Sequence, residues 1–546
     1  MLRIVNGEVY DPLNGIDGVV QDICVADGKI VAQVDPGTEI LDASGMIVMP
    51  GGVEIHAHVA GPKVNSGRRM RPEDHRKGFV RSTPITRSGT GNSVPSTFTT
   101  GYQYTGLGYT TVMEAAAPPL EARHVHEELD DIPIVDKAVY VMMGNNYFVM
   151  KFIHEGEFSK LKDYVAWLLE STGGYVMKLI NPAGVDRWKW GKNVHTIDDP
   201  ADTFPVSPSQ IVKNLSRVQQ ELGIPHPIHV HCNNLGNPGN AEVTRQTMEA
   251  VGDLPIHITH IQFNGFAKSP KNDFRSGATE LAAYVNKHEN VTVDMGQIAF
   301  GSTTTMTADG PWQYQLQKMT NDKWVNVDLE MEGGSGIVPY TYRKRNEVNA
   351  LQWTVGLEFA LLMEDPWRVF LSTDHPNGGT FRSYPDIIKL LMSRDYRAEI
   401  LDQLHSRART YSTLKEIDRE YSLYEVAILT RAGPAKALGL KDKGHLGPGA
   451  DADIAIYPKN SDAKEMFSNP SYVIKGGDIV FAGGVIVKDK PGRTLYVTPG
   501  YDKQLKAAIH EEFEQYYTVC FDNYPVQVDH YMPHRQLIPC TPRSVK

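Results

Sequence analysis

The chain has 546 residues, with 55 basic against 65 acidic side chains for a formal charge of −10, and it is 41% hydrophobic and 22% charged. That apolar fraction can bury a sizeable core and excludes general disorder, while the acidic balance argues against nucleic-acid binding. No apolar run of about 18 residues occurs, so no membrane span is expected, and no secretion signal is visible at Met1.

The first fifty residues read as short strands joined by tight turns. Residues 2–5 precede Asn6-Gly7, residues 21–25 precede Asp27-Gly28, and residues 30–34 and 40–49 follow. Asn-Gly and Asp-Gly between apolar alternations signal hairpins. From residue 52 the pattern changes. Apolar runs at 52–58, 109–114, 138–144, 175–180, 227–231, 255–260, 291–296 and 368–374 alternate with helical stretches such as 159–171 and 207–222. Continuous apolar strands separated by helices imply a parallel sheet covered on both faces, and eight such units predict a TIM-type (β/α)8 barrel in the α/β class. Residues 444–490 return to short β-strands, so the two ends are expected to form one small β-sandwich. The expected division is 1–50 and 436–495 for the two sandwich parts, 51–435 for the barrel, and 496–546 for an irregular, aromatic- and proline-rich extension. Cys24, Cys232, Cys520 and Cys540 stand far apart without a CxxC pair. They suggest neither an iron–sulfur cluster nor a cysteine zinc knuckle, and they fit a reducing cytoplasm.

In such a barrel, reactive residues belong at the C-terminal ends of strands. Those ends carry His56 and His58, Lys178, His229 and His231, His257 and His260, and Asp374. Taken singly, a strand-end His is commonly a structural hydrogen-bonding group and an Asp before a loop an N-cap. Gathered at one barrel mouth, they form a metal-capable set. His56 and His58, spaced i, i+2, share one strand face and can chelate one cation, and neutral imidazoles with a carboxylate suit Zn²⁺. His229 and His231 also share a face, so both remain strand-5 candidates. His257 and His260, three apart, are expected on opposite faces, with His260 nearer the strand end.

The order of HxH, lysine, single histidines and aspartate between two β pieces resembles the amidohydrolase superfamily. The segments AGPKVNSGRRMRPEDHR, TPITRSGTG, GYTTVMEAAAPP, GNNYFVMK, KLINPAG, HVHCNNLGNPGN, TMTADGP and STDHPNGG resemble the A subunits of formylmethanofuran dehydrogenases and of the bacterial formyltransferase/hydrolase complex. That resemblance spans nearly the whole chain. It implies a component of a multisubunit complex. It also implies interconversion of formylmethanofuran plus water with methanofuran plus formate, or otherwise hydrolysis of a cyclic amide of the dihydropyrimidinase kind. Redox-centre motifs are lacking, so any formate oxidation would lie on other subunits.

The same resemblance implies a pair of Zn²⁺ ions held by His56, His58, His231, His260 and Asp374 and bridged by a carbamylated Lys178. His231 is preferred because HCNN resembles the HAEN of hydantoinase-type enzymes. Asp374 is implied to carry a proton from the attacking water to the leaving amine. His375 after it, and the lack of a clear insertion after the fifth strand, lean toward the bacterial version. Residues 59–90 hold eight Lys or Arg against two Asp or Glu. Arg68, Arg69 and Arg71 are therefore candidates for holding the glutamate carboxylates of a methanofuran-type tail. Asn233 and Asn234 are further candidate substrate contacts, and Trp188 and Trp190, beside Lys192, could stack on a furan ring.

Overall fold

The computed structural model describes residues 1–268, 273–326, 332 and 336–543. Eight parallel strands form the central sheet: β1 (Gly52–Ala57), β2 (Tyr109–Ala117), β3 (Asp136–Met142), β4 (Val176–Ile180), β5 (Ile228–His231), β6 (Ile256–Ile258), β7 (Val291–Asp294) and β8 (Val369–Phe370). Neighbours pair in that order. The sheet closes where Ala57 bridges His375 in parallel and the His58 amide donates to the His375 carbonyl at 2.6 Å. Every residue of β1 to β6 is buried, as strands covered on one side by helices and packed on the other inside a barrel must be. The expected barrel is therefore present, and each strand overlaps its apolar run.

Local sequence sets the connecting helices. Ser207 caps Pro208–Leu222 by accepting from the Gln210 amide at 3.4 Å, and Gln210 Oε1 accepts in turn from the Ser207 amide at 2.9 Å. A proline in the first turn is pre-set for helix. Gly223 ends the helix at φ +65°, where a Cβ would be strained and would run into the Thr541 backbone.

Two antiparallel-rich sheets form the satellite. One has Lys29–Val31, Ile23–Ala26, Leu2–Val5 and Glu39–Asp42 in spatial order. The other joins Glu8–Asp11, Ile16–Val20 and Met46–Pro50 to Ile454–Pro458, Tyr472–Lys475, Asp478–Ala482 and Val485–Ile486. Their inner faces share a core that includes Ile4, Val9, Ile23, Val25, Val48, Ile454 and Ile474. The pairing of Met46–Pro50 with Ile454–Pro458 welds the two ends of the chain.

The extension read as irregular is more ordered than expected. Thr494–Tyr496 pairs with the start of β3, Arg535–Leu537 pairs with Thr494–Tyr496, and Gln504–Tyr516 is a helix. Its Phe513 packs on Trp167, Phe521 and Tyr524. An apolar stripe of only Leu505, Ile509 and Phe513 is buried, too sparse to stand out among the surrounding prolines and aromatics. The last three residues of that extension lie outside the described residues.

Barrel floor and satellite meet at a buried charge network. Lys443 Nζ lies 2.6 Å from Asp136, 3.1 Å from Asp451 and 2.9 Å from Asp453, and Lys475 Nζ lies 2.8 Å from Asp136 and 2.7 Å from Asp453. Burial pushes the Asp136 carboxyl up, but Lys443, Lys475 and Arg493 together hold it well below the usual range. Lys443→Met should cost about 3–5 kcal/mol, because it strands buried carboxylates without their cation. Urea unfolding measures this, and a loss below about 1 kcal/mol, the range of an exposed pair, would deny the network that role.

Candidate metal centre

The mouth at the C-terminal ends of the strands brings the predicted residues together. His56 Nε2 and His58 Nε2 both converge on one oxygen, Oδ1 of Asp374, at 2.9 and 3.2 Å. The i, i+2 spacing at the end of β1, with His58 one residue past Ala57, supplies the shared face. Across the mouth, His231 Nδ1 and His260 Nε2 lie 3.1 Å apart. Lys178 stands among these groups, 1% exposed, and its Nζ has no hydrogen-bond partner. Asp374 and His260 sit at φ +49° and +38°, left-handed conformations that cost a non-glycine residue energy and collect at functional sites.

Burial dominates the electrostatics. It pushes the Lys178 amine down to about 7, against the pull of Asp374 and Asp294. It pushes His58 down to about 4 and His56 further below its ordinary value. It raises the Asp374 carboxyl, while the hydrogen bond and charge of His58 lower it. Neutral imidazoles and a neutral amine are the forms that present lone pairs.

The structure separates the paired candidates. His229 and His231 do share a face, but His229 lies one layer deeper, with Nε2 2.8 Å from His56 Nδ1 and Nδ1 3.1 Å from His226 Nε2. Its two nitrogens are both engaged, and His231 stands at the mouth. His257 and His260 do not fall on opposite faces as parity predicts. His257 points into the barrel, stacked on His229 at 4.4 Å and bonded to Thr292 and Asp294. Strand β6 ends at Ile258, so alternation no longer applies at His260.

The substrate-contact candidates fare differently. Arg68 donates to the Pro95 carbonyl and to Asn65, and Arg71 donates to the carbonyls of Thr303 and Tyr340. These bonds staple the loop after β1 to the body, while Arg68 Nη2 and Arg71 Nε stay buried without a hydrogen-bond partner, and only Arg69 of the three is exposed. Asn233 Nδ2 donates to Asn181 and the Pro182 carbonyl, and Asn234 Nδ2 donates to the His195 carbonyl. Trp190 is exposed, Trp188 packs 5.4 Å from the Tyr314 ring, and Lys192 is paired with Asp202.

Several site residues escaped sequence reasoning. Glu114 accepts from the amides of Val59 and Ala60 at 2.6 and 2.9 Å and lies 3.5 Å from His58 Nδ1. Asp309, inside TMTADGP, lies 3.1 Å from His231 Nε2 and also caps the helix Gly310–Thr320. Lys63 belongs to the basic loop by sequence, yet its Nζ is buried without a partner and its charge reaches Glu114, Glu121 and Asp374. None carries a spacing signal, because each meets its histidine only through folding.

The chain matches the model of the amidohydrolase family over residues 39–481. It belongs to the amidohydrolase family. Protein FwdA of Methanocaldococcus jannaschii is 47% identical over 96% of either chain. The A subunit of the formyltransferase/hydrolase complex Fhc from Methylorubrum extorquens is 38% identical, covering 94% of this chain and 95% of that one. A crystal structure of the Methylorubrum extorquens formyltransferase/hydrolase complex with methylofuran contains a chain that superposes with a TM-score of 0.93 at 36% identity, over 99% of this chain and all of that one. Amidohydrolases typically hold a dinuclear metal centre, and here ligand atoms of His56, His260 and Asp374 all lie within 4.8 Å of one another. No helix among the described residues is long and apolar enough to cross a membrane.

Proposed function

We propose that the chain is a zinc-dependent amidohydrolase that interconverts formylmethanofuran and water with methanofuran and formate, within a cytoplasmic multisubunit complex. The observation that carries this reading is the convergence of His56, His58 and Asp374 beside a buried amine with no partner, in a chain so close to a complex solved with methylofuran.

The donor set suits the ions. His56, His58, His231, His260 and Asp374 would hold two Zn²⁺, and Lys178, once carbamylated, would bridge them. Its orphaned Nζ, lowered to about 7, is the nucleophilic form that CO₂ needs. Bound, the metals would polarise the formyl carbonyl and acidify the attacking water. The chain's own contribution is proton movement and orientation. Asp374 takes the proton of the attacking water and delivers it to the amine nitrogen, because an amide anion is a very poor leaving group. Asp309 orients His231 from behind through its contact with Nε2, and the Glu114 carboxylate faces His58 Nδ1 at 3.5 Å.

In the hydrolytic direction the C–N bond breaks, formate leaves with the water oxygen, and the amine takes the proton. The identities, 47% with the Methanocaldococcus protein against 38% with the Methylorubrum one, keep open a second reading, the same reaction run in the condensing direction within a formylmethanofuran dehydrogenase. The test is formate release from N-formylfurfurylamine and formylmethanofuran by the zinc-loaded protein, with metal counted per chain. Two zinc ions and formate release are expected. Less than one ion per chain with no formate from either substrate would overturn the proposal, and turnover of dihydrouracil alone would redirect it to cyclic amides.

A further inference from the structure

A file of three histidines crosses the barrel beneath the metal centre. His226 Nδ1 lies 2.8 Å from the Ala437 carbonyl, His226 Nε2 lies 3.1 Å from His229 Nδ1, and His229 Nε2 lies 2.8 Å from His56 Nδ1. All three rings are at most 1% exposed. Thr259 Oγ1 also approaches His56 Nδ1, at 2.6 Å.

Hydrogen-bond accounting gives the file a direction. A carbonyl can only accept, so His226 must carry its proton on Nδ1. Burial pushes His226 down to about 3, so the ring is neutral and its Nε2 is a bare acceptor. His229 must then donate from Nδ1 and accept at Nε2. His56 in turn must donate from Nδ1, which leaves the lone pair of His56 Nε2 aimed at Asp374 Oδ1, 2.9 Å away. Two acceptors hold that separation when a proton or a cation lies between them. The file thus begins at a fixed backbone group on the barrel floor and ends on a lone pair at the mouth.

Resting on the metal-centre reading above, we infer that His226 and His229 are positioning residues that lock His56 in the tautomer that presents Nε2 to a metal ion. Metal-binding histidines commonly depend on such a partner for their other nitrogen. The partner here is a relay of two neutral rings anchored on a carbonyl. The same geometry accounts for His229 not reaching the mouth, since both its nitrogens are used within the file.

The test is metal affinity by chelator competition, read with metal stoichiometry and thermal unfolding of the metal-free protein. His229→Leu removes the acceptor and should weaken binding of one ion roughly 10–100-fold. His229→Gln can place Oε1 where Nε2 stood and should recover most of that affinity, with metal-free unfolding no different from the Leu variant. Should His229→Leu fail to fold, the pair His226→Leu and His226→Gln repeats the comparison one step further from the ion. Equal affinity in the Leu and Gln variants would overturn the relay. So would a Thr259→Val variant that alone reproduces the loss, since the hydroxyl would then be the partner of His56. A third ion on the wild type that disappears with His226→Gln would also overturn it, by making His226, His229 and His257 a ligand set of their own. Wild-type protein holding less than one ion would overturn the underlying reading and the relay with it, whereas two ions with indifferent variants would overturn the relay alone.

Discussion

Lys178→Ala is expected to lose the metal pair and most of the activity, by about 10²–10³-fold or more, the scale on which removing one electrostatic stabiliser slows an active site. Two divalent cations close together repel each other, and an anionic bridge offsets that repulsion. Strand β4 offers no carboxylate at the mouth, and what it offers is an amine 1% exposed with no partner among its neighbours. Burial holds that amine down to about 7, so the neutral form is well populated near neutral pH. Reaction with CO₂ joins the amine nitrogen to the carbon and releases a proton, leaving the carboxylate that β4 lacks. The alternative is a plain ammonium that binds a substrate carboxylate, and the two differ in rescue. Acetate or propionate should restore part of both metal content and rate to Lys178→Ala by filling the gap with a carboxylate. No rescue by any short acid, together with an unmodified lysine in the metal-loaded protein, would rule the carbamate out.

Asp374→Asn should slow formate release by about 10²–10⁴-fold, the range of a general acid–base contribution. The amide keeps the size and can still accept from the Asn377 side chain, now at 2.9 Å from Oδ1, but it cannot take up a proton. Because His56 and His58 converge on the same oxygen, metal content must be measured beside the rate. A variant that keeps both ions and still loses the rate assigns the proton transfer to Asp374. A loss below tenfold would move that role to another group. His375 is the neighbour to examine, although burial pushes it down to about 3 and its ring packs 4.8 Å from Phe381.

Much of this was legible from the order of residues alone. A strand buried on both faces must be apolar throughout, so eight runs announced eight barrel strands. An i, i+2 pair must share a face, so His56 and His58 had to converge. Asp27-Gly28 does join a hairpin, between Ile23–Ala26 and Lys29–Val31, whereas the strands flanking Asn6-Gly7 enter different sheets and the hairpin expected there does not form. Lys178 and Asp374 were visible because the strand ends of such a barrel are where reactive side chains gather.

What the sequence could not decide was depth, direction and pairing across the barrel. His229 and His231 are equivalent by alternation, and only the closed barrel puts one in its interior layer and the other at its mouth. His260 escaped parity because β6 stops two residues earlier and the backbone turns left-handed there. A cluster of positive charge after β1 could not reveal that Arg68 and Arg71 would donate to carbonyls 27 to 269 residues away, or that Lys63 would turn inward. The partners of the site histidines, Glu114, Asp309 and the file through His229 to Ala437, are separated from them by tens to hundreds of residues and carry no shared period. Periodicity reports which face of its own element a side chain occupies, and the partner it meets there is set only when the chain closes on itself.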